Sequence, residues 1–226
     1  MKTYRVAIIG LGGMGVHHAE AIQEVRQCEL VGGAEIDPGR ASDWQNRFSV
    51  TDVFEDYEDM LDELNPDIAI VSTQAPTHHA PTLSAAGRGI HVFCEKPIAL
   101  TLDQADEMVK ACDDNGVKLA INHIKRASPY NRHVLDRISS GEIGNLVRLR
   151  AFDKGGRKAG NSLMEMGTHL YDWVRLFAGD VEWAHAHLTQ LNGRESTGDD
   201  IRLTRDVNPK DRDAGLVLGE RGFATF

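Results

Sequence analysis

The chain has 226 residues, 41% of them hydrophobic and 26% charged, with a formal net charge of −9. That length suits one large domain or two modest ones with a real core, and the acidic balance argues against general attraction to nucleic acid or an anionic membrane. The three cysteines, Cys28, Cys94 and Cys112, fit neither a zinc site, a CxxC redox pair nor a disulfide framework, and with no signal-peptide pattern and no apolar run near the roughly 20 residues of a membrane span, a cytoplasmic protein with free thiols is expected.

Residues 6–9 read as a strand, 13–25 as a helix, 30–35 as a second strand and 38–48 as a helix opened by Pro38. Residues 50–53 suit a short third strand, and Asp56 can cap a helix running through Leu64. A fourth strand is expected over 68–72, a helix over about 77–88 and a fifth strand over 90–94. Thr101 and Gln104 form a capping-box pattern that starts a helix ending near Gly116, followed by a sixth strand over 117–122. Six near-continuous apolar strands separated by helices predict an α/β fold: an N-terminal doubly wound parallel (Rossmann) sheet in the order 3-2-1-4-5-6.

Beyond Asn122 the pattern changes. A helix is expected over 128–140, an alternating strand over 146–152, a helix over about 162–178 and a long strand over 181–191. Residues 192–215 read as loop, and 222–226 begin another strand. The expected organisation is a dinucleotide-binding domain over 1–122 and an α+β substrate domain over 123–226, the latter incomplete.

Gly10-Leu11-Gly12-Gly13-Met14-Gly15 matches G-x-G-x-x-G between a strand and a helix. Gly10 permits the turn, Gly12 lets a diphosphate approach, Gly15 lets helix and strand pack, and Gly13 and Met14 complete the loop. The helix start offers unpaired N–H groups and the positive end of the helix dipole. Glu35, 20 residues past Gly15, is placed to accept hydrogen bonds from a ribose, which favours NAD over NADP. Asp37 is its rival, and Arg40 is the residue that could rescue NADP binding.

Glu95-Lys96-Pro97 follows the fifth strand, where ligands gather in such sheets. A desolvated Lys96 there could stabilise negative charge on a reacting oxygen; read alone, it is more readily a surface lysine before a proline. Thr73, Gln74, Pro76 and His79 follow strand four and could line the cofactor, while Asn122 and Lys125 follow strand six and could face the substrate. His17 and His18 read as ordinary packing or surface residues of the first helix. On the later helix Glu165, His169 and Asp172 share one stripe, either an acid–imidazole–acid row or a solvated charged face. Their spacing is not a standard zinc pattern, and no metal is expected.

These motifs in this order, with Asn65-Pro66-Asp67, Thr77-His78-His79, Ser140-Gly141-Glu142-Ile143-Gly144 and Gly167-Thr168-His169, resemble the Gfo/Idh/MocA oxidoreductases over essentially the whole chain. The family includes glucose–fructose oxidoreductase and inositol dehydrogenase. The resemblance implies that Lys96 is catalytic, that the peptide before Pro97 is cis and that His169 is the catalytic histidine, with Glu165 standing where the family usually has Asp. It implies NAD(P)-dependent hydride transfer to or from a sugar, cyclitol or related polyol, and a homo-oligomer through the second-domain sheet. The alternative is a catalytically inactive or truncated nucleotide-binding protein of the same fold.

Overall fold

Successive side chains of a strand point to opposite faces, so a strand buried throughout needs cover on both sides. Strand β1 (Tyr4–Ile9) is of this kind from Val6 onward: Tyr4 and Arg5 are exposed, and Val6, Ala7, Ile8 and Ile9 are buried in succession. The structure, a computed structural model, describes residues 2–151, 167–184, 186–187, 194–195 and 223–224. The chain divides into two units, Met1–Asn122 and His123–Phe226.

In the first unit β1 is followed by α1 (Gly13–Gln23), β2 (Cys28–Ala34), α2 (Pro38–Phe48), β3 (Val53–Phe54) and α3 (Tyr57–Leu64). Then come β4 (Ile68–Val71), α4 (His79–Gly87), β5 (His91–Cys94), α5 (Leu102–Asp114) and β6 (Leu119–Ile121). The strands pair in parallel in the order β3-β2-β1-β4-β5-β6, as the sequence predicts. One face packs Ala7, Ile9, Ala69, Val71, Val92 and Cys94 against Met60, Leu61, Ala85 and Met108 of α3, α4 and α5. The other packs Val6, Ile8 and Ile70 against Ala19 and Ile22 of α1 and Trp44 and Phe48 of α2. The chain reverses direction across the sheet between β1 and β4, which opens a crevice at their carboxyl ends.

Local chemistry sets the helix starts. Asp37, Asp56 and Thr101 each accept a backbone N–H at the first turn of α2, α3 and α5, from Arg40, Glu58 and Gln104 respectively. Several boundaries shift by one to three residues from expectation, and two of the shifts have a visible cause. Strand β3 begins later than residue 50, because the Asp52 and Phe54 carbonyls are the ones that receive the Gly33 and Glu35 amides. A single 3₁₀ turn, Ala75–Thr77, precedes α4, closed by the Thr77 N–H bonding to the Gln74 carbonyl.

The second unit contains α6 (Ile124–Ala127), α7 (Pro129–Ser139), α8 (Gly167–Ala178) and an antiparallel pair, β7 (Ala186–His187) with β8 (Phe223–Ala224). The short α6 was not anticipated. Residues 146–151 form no strand. Alternation marks a strand only where one face is covered, and Val147 there is 93% exposed. Residue 152, the helix start at 162–166 with Glu165, and the rest of the expected 181–191 and 222–226 strands apart from 181–184 and the two pairing dipeptides lie outside the described residues. Among the described residues no helix is long and apolar enough to cross a membrane.

Candidate functional site

The glycine loop joins β1 to α1. Gly10 has φ +90°, a left-handed conformation costly for any side chain, and a Cβ there would lie 2.9 Å from the Thr73 amide nitrogen. A Cβ on Gly15 would run into the Gly10 carbonyl, so only glycine lets α1 approach the strand this closely. Ser72 reinforces the turn, its hydroxyl donating to the Gly10 carbonyl at 2.7 Å. Gly12 and Gly13 are different: a Cβ on either would meet nothing within 4 Å. Gly12 is the N-cap of α1, supplies no side-chain cap, and is followed by no acid in the first turn. The first amides of α1 therefore have no side-chain cap at the positive end of the helix, beside the part-exposed Met14, and the positions around them leave room. Both the room and the donor chemistry fit a diphosphate.

At the end of β2, Glu35 is buried, and three donors converge on it. Its Oε2 accepts the Leu11 N–H at 3.0 Å. Its Oε1 accepts the Asp37 N–H at 3.0 Å and an Arg40 guanidinium N–H at 2.9 Å. Glu35 thus ties the glycine loop to β2 and holds Arg40. Asp37 is half exposed and caps α2, and the Arg40 N–H it accepts holds its carboxyl below the ordinary aspartate value. Of the two acids that spacing left as rivals, Glu35 is the one that reaches the glycine loop.

Thr73, Gln74 and Pro76 occupy the loop after β4, and Thr73 abuts Gly10. His79 turns away from this loop, its Nε2 lying 2.7 Å from Glu107 of α5. Its neighbour His78 takes the position instead: 1% exposed, it bonds the Thr73 carbonyl through Nε2 at 3.1 Å and the Pro97 carbonyl through Nδ1 at 2.9 Å. Helical spacing carried this signal, since residues 78, 82, 85 and 86 fall on one stripe and are all buried.

After β5 the Lys96–Pro97 peptide is cis. Glu95 beside it is buried. Its Oε1 meets His18 Nε2 at 2.9 Å and the Asn122 side-chain amide at 2.7 Å, while its Oε2 accepts the Lys96 N–H at 3.3 Å. Burial pushes the Glu95 carboxyl up, but His18, Asn122 and the Lys96 N–H more than offset this and hold it below the ordinary glutamate value. Asn122, expected to face substrate, spends its amide here. Burial pushes the neighbouring Cys94 thiol up to about 12, so no thiolate chemistry is available at this strand end.

In the second unit α8 carries His169, Asp172 and Trp173. Asp172 accepts from Arg126 Nε at 2.6 Å, and its Oδ2, which has no hydrogen bond among the described residues, lies 3.9 Å from His123 Nδ1. The His123 and His169 rings meet edge to face at 6.4 Å. Lys125 sits over the Trp173 ring, 5.1 Å from its centre. Asp172 thus pairs with Arg126 of α6 and lies within ion-pair reach of His123, and α6 has no recognisable sequence signal.

A family model described as "Oxidoreductase family, NAD-binding Rossmann fold" matches residues 4–123. Rhizopine catabolism protein MocA of Rhizobium meliloti is 27% identical over 234 residues, covering 98% of this chain and 73% of that protein. D-apiose dehydrogenase of Paraburkholderia graminis is 29% identical over 212 residues, covering 89% of this chain and 56% of that one. The crystal structure of myo-inositol 2-dehydrogenase from Lactobacillus plantarum superposes with a TM-score of 0.77 at 26% identity, over 84% of this chain and 61% of that one. The chain spans about half the length of most of the curated relatives it matches.

Proposed function

The chain belongs to the Gfo/Idh/MocA oxidoreductases, a family with an NAD-binding Rossmann fold, and on that premise we propose that it binds NAD at the glycine loop and serves hydride transfer between NAD and a CH–OH carbon of a sugar, cyclitol or related polyol. The observation that carries this reading is the open, uncapped start of α1 at Gly12 and Gly13, set beside an acid that reaches the same loop. Relatives named for D-apiose and myo-inositol support the substrate class.

Nicotinamide, when bound, supplies the hydride acceptor or donor. The chain supplies position, charge and proton transfer. The first amides of α1 receive the diphosphate, with Gly10, Gly13, Met14 and Gly15 shaping the loop around it. Glu35 accepts from the adenosine ribose, and it holds the guanidinium of Arg40, the residue that could otherwise welcome a 2′-phosphate. Lys96 donates to the substrate oxygen and stabilises charge developing on it as hydride leaves the carbon. His169 takes the proton, as the family resemblance implies. Glu165 is assigned with it on spacing alone, and Lys125 is assigned to substrate.

The test is an NADH fluorescence titration of the purified chain, followed by a sugar and cyclitol panel. Binding of NADH in preference to NADPH is expected, with turnover of at least one polyol. Lys96→Ala and His169→Ala should each remove most of kcat while NADH binding survives. Wild-type turnover in either variant would discard its assigned role, and failure to bind NADH at saturating concentration would end the reading.

A further inference from the structure

A lysine side chain has four rotatable bonds, so the part of its placement a fold can fix is the direction in which its backbone launches it. For Lys96 that backbone is gripped from both sides by buried groups. On one side Glu95 sends Oε2 to the Lys96 N–H and Oε1 to His18 and Asn122. On the other, His78 bonds the carbonyl of Pro97. A carboxylate with its side chain 7% exposed is costly to keep unless each oxygen is partnered. Asn122 arrives from the end of β6, and His18, itself only 12% exposed and packed edge-on against Phe93 at 5.6 Å, is the partner that arrives from a helix. It stands on α1, three residues past Gly15, on the helix whose first amides form the proposed diphosphate cradle.

We propose that His18 is a positioning residue for Lys96: its imidazole fixes the Glu95 carboxylate, and that carboxylate fixes the peptide from which Lys96 projects. The launch point of the lysine is thereby referenced to the helix that would hold the coenzyme, so that the two are set as one unit. The proposal rests on the reading above that Lys96 meets the reacting oxygen.

The experiment compares wild type, His18→Leu, which removes the contact, and His18→Gln, which keeps an N–H donor for Glu95. The first readout needs no substrate: amide hydrogen exchange by NMR in the full chain. In His18→Leu the Lys96 amide should exchange faster by about tenfold or more while the Ile8 amide of β1 keeps its protection, and His18→Gln should restore Lys96. A merely structural role would move Ile8 and Lys96 together. The second readout is steady-state kinetics on a polyol found in the panel. Here kcat should fall by up to about 100-fold in His18→Leu, with NADH affinity and KM nearly unchanged and most of kcat regained in His18→Gln. If His18→Leu does not fold, Glu95→Gln is measured in its place. Wild-type exchange at Lys96 in the folded variant overturns the proposal, as does wild-type kcat there when Lys96→Ala is inactive. An active Lys96→Ala instead overturns the assigned role of the lysine and leaves the exchange result to decide the contact.

Discussion

Replacing Glu35 by Ala perturbs folding and coenzyme choice by separable amounts. Glu35 is 8% exposed, and its removal strands the Leu11 N–H, on a residue 2% exposed. An unsatisfied buried donor costs about 1–3 kcal/mol, and this sets the stability loss. The ion pair with Arg40 adds little, because the guanidinium is 54% exposed and solvent screens it. For NADH, the lost hydrogen bonds from ribose to a charged acceptor weaken binding by about 10- to 100-fold. For NADPH the sign reverses: Arg40, released from Glu35, can bond a 2′-phosphate through two parallel N–H groups, and affinity should rise about tenfold. Parallel fluorescence titrations with NADH and NADPH, alongside a urea melt, separate the two effects. A folded variant whose ratio of NADPH to NADH affinity matches wild type would refute the role given to Glu35 and Arg40 together.

Two further outcomes follow from the strand ends. Glu95 has its folded pKa held below the unfolded value, so it contributes stability at neutral pH that is lost as pH falls from the ordinary glutamate range through the lowered value; Glu95→Gln should flatten this acid limb in urea melts between about pH 7 and 3. Cys94 and Cys112 are buried with raised thiol pKa values, so an aromatic disulfide reagent at pH 8 should modify only the less buried Cys28 until denaturant is added.

The doubly wound sheet was legible because its strands are buried on both faces, which writes them as unbroken apolar runs such as Val6–Ile9 that no surface strand could carry. The glycine loop was legible because Gly10 and Gly15 answer different steric demands while Gly12 and Gly13 leave open room between them. What spacing could not separate was Glu35 from Asp37: both sit at the end of β2, and only the path of the chain shows one turned inward to Leu11 and the other outward as a helix cap. His18, expected as a packing or surface residue, is a packing one: residues 15, 18 and 22 lie on one stripe of α1, and Gly15 and Ile22 are buried. The same stripe argument separates His78 from His79. In adjacent histidine pairs, helical period decides which ring goes inward. The strand expected at 146–152 is absent over 146–151 for the opposite reason: alternation makes a strand only beside a covered face, which Val147 does not have.

Two acids bind α1 and its loop to the sheet, and neither sits where it would spoil an anion site. Glu35 of the β2 end holds Leu11, and Glu95 of the β5 end holds His18 one turn into the helix, while the first turn itself carries no acid. A helix start without a cap forgoes stability, and Gly12 is where that sacrifice is concentrated. Its φ of −70° and ψ of −160° suit an ordinary N-cap residue, and a side chain there would meet nothing. Gly12→Asp should therefore cap α1, complement its dipole and restrict the unfolded chain, for a gain of about 1 kcal/mol. The same carboxylate would occupy the amides and repel a diphosphate, lowering NADH affinity by about 100-fold or more. Urea midpoint and NADH titration should move in opposite directions. A variant that is stabilised yet binds NADH as tightly as wild type would mean the diphosphate does not rest on these amides.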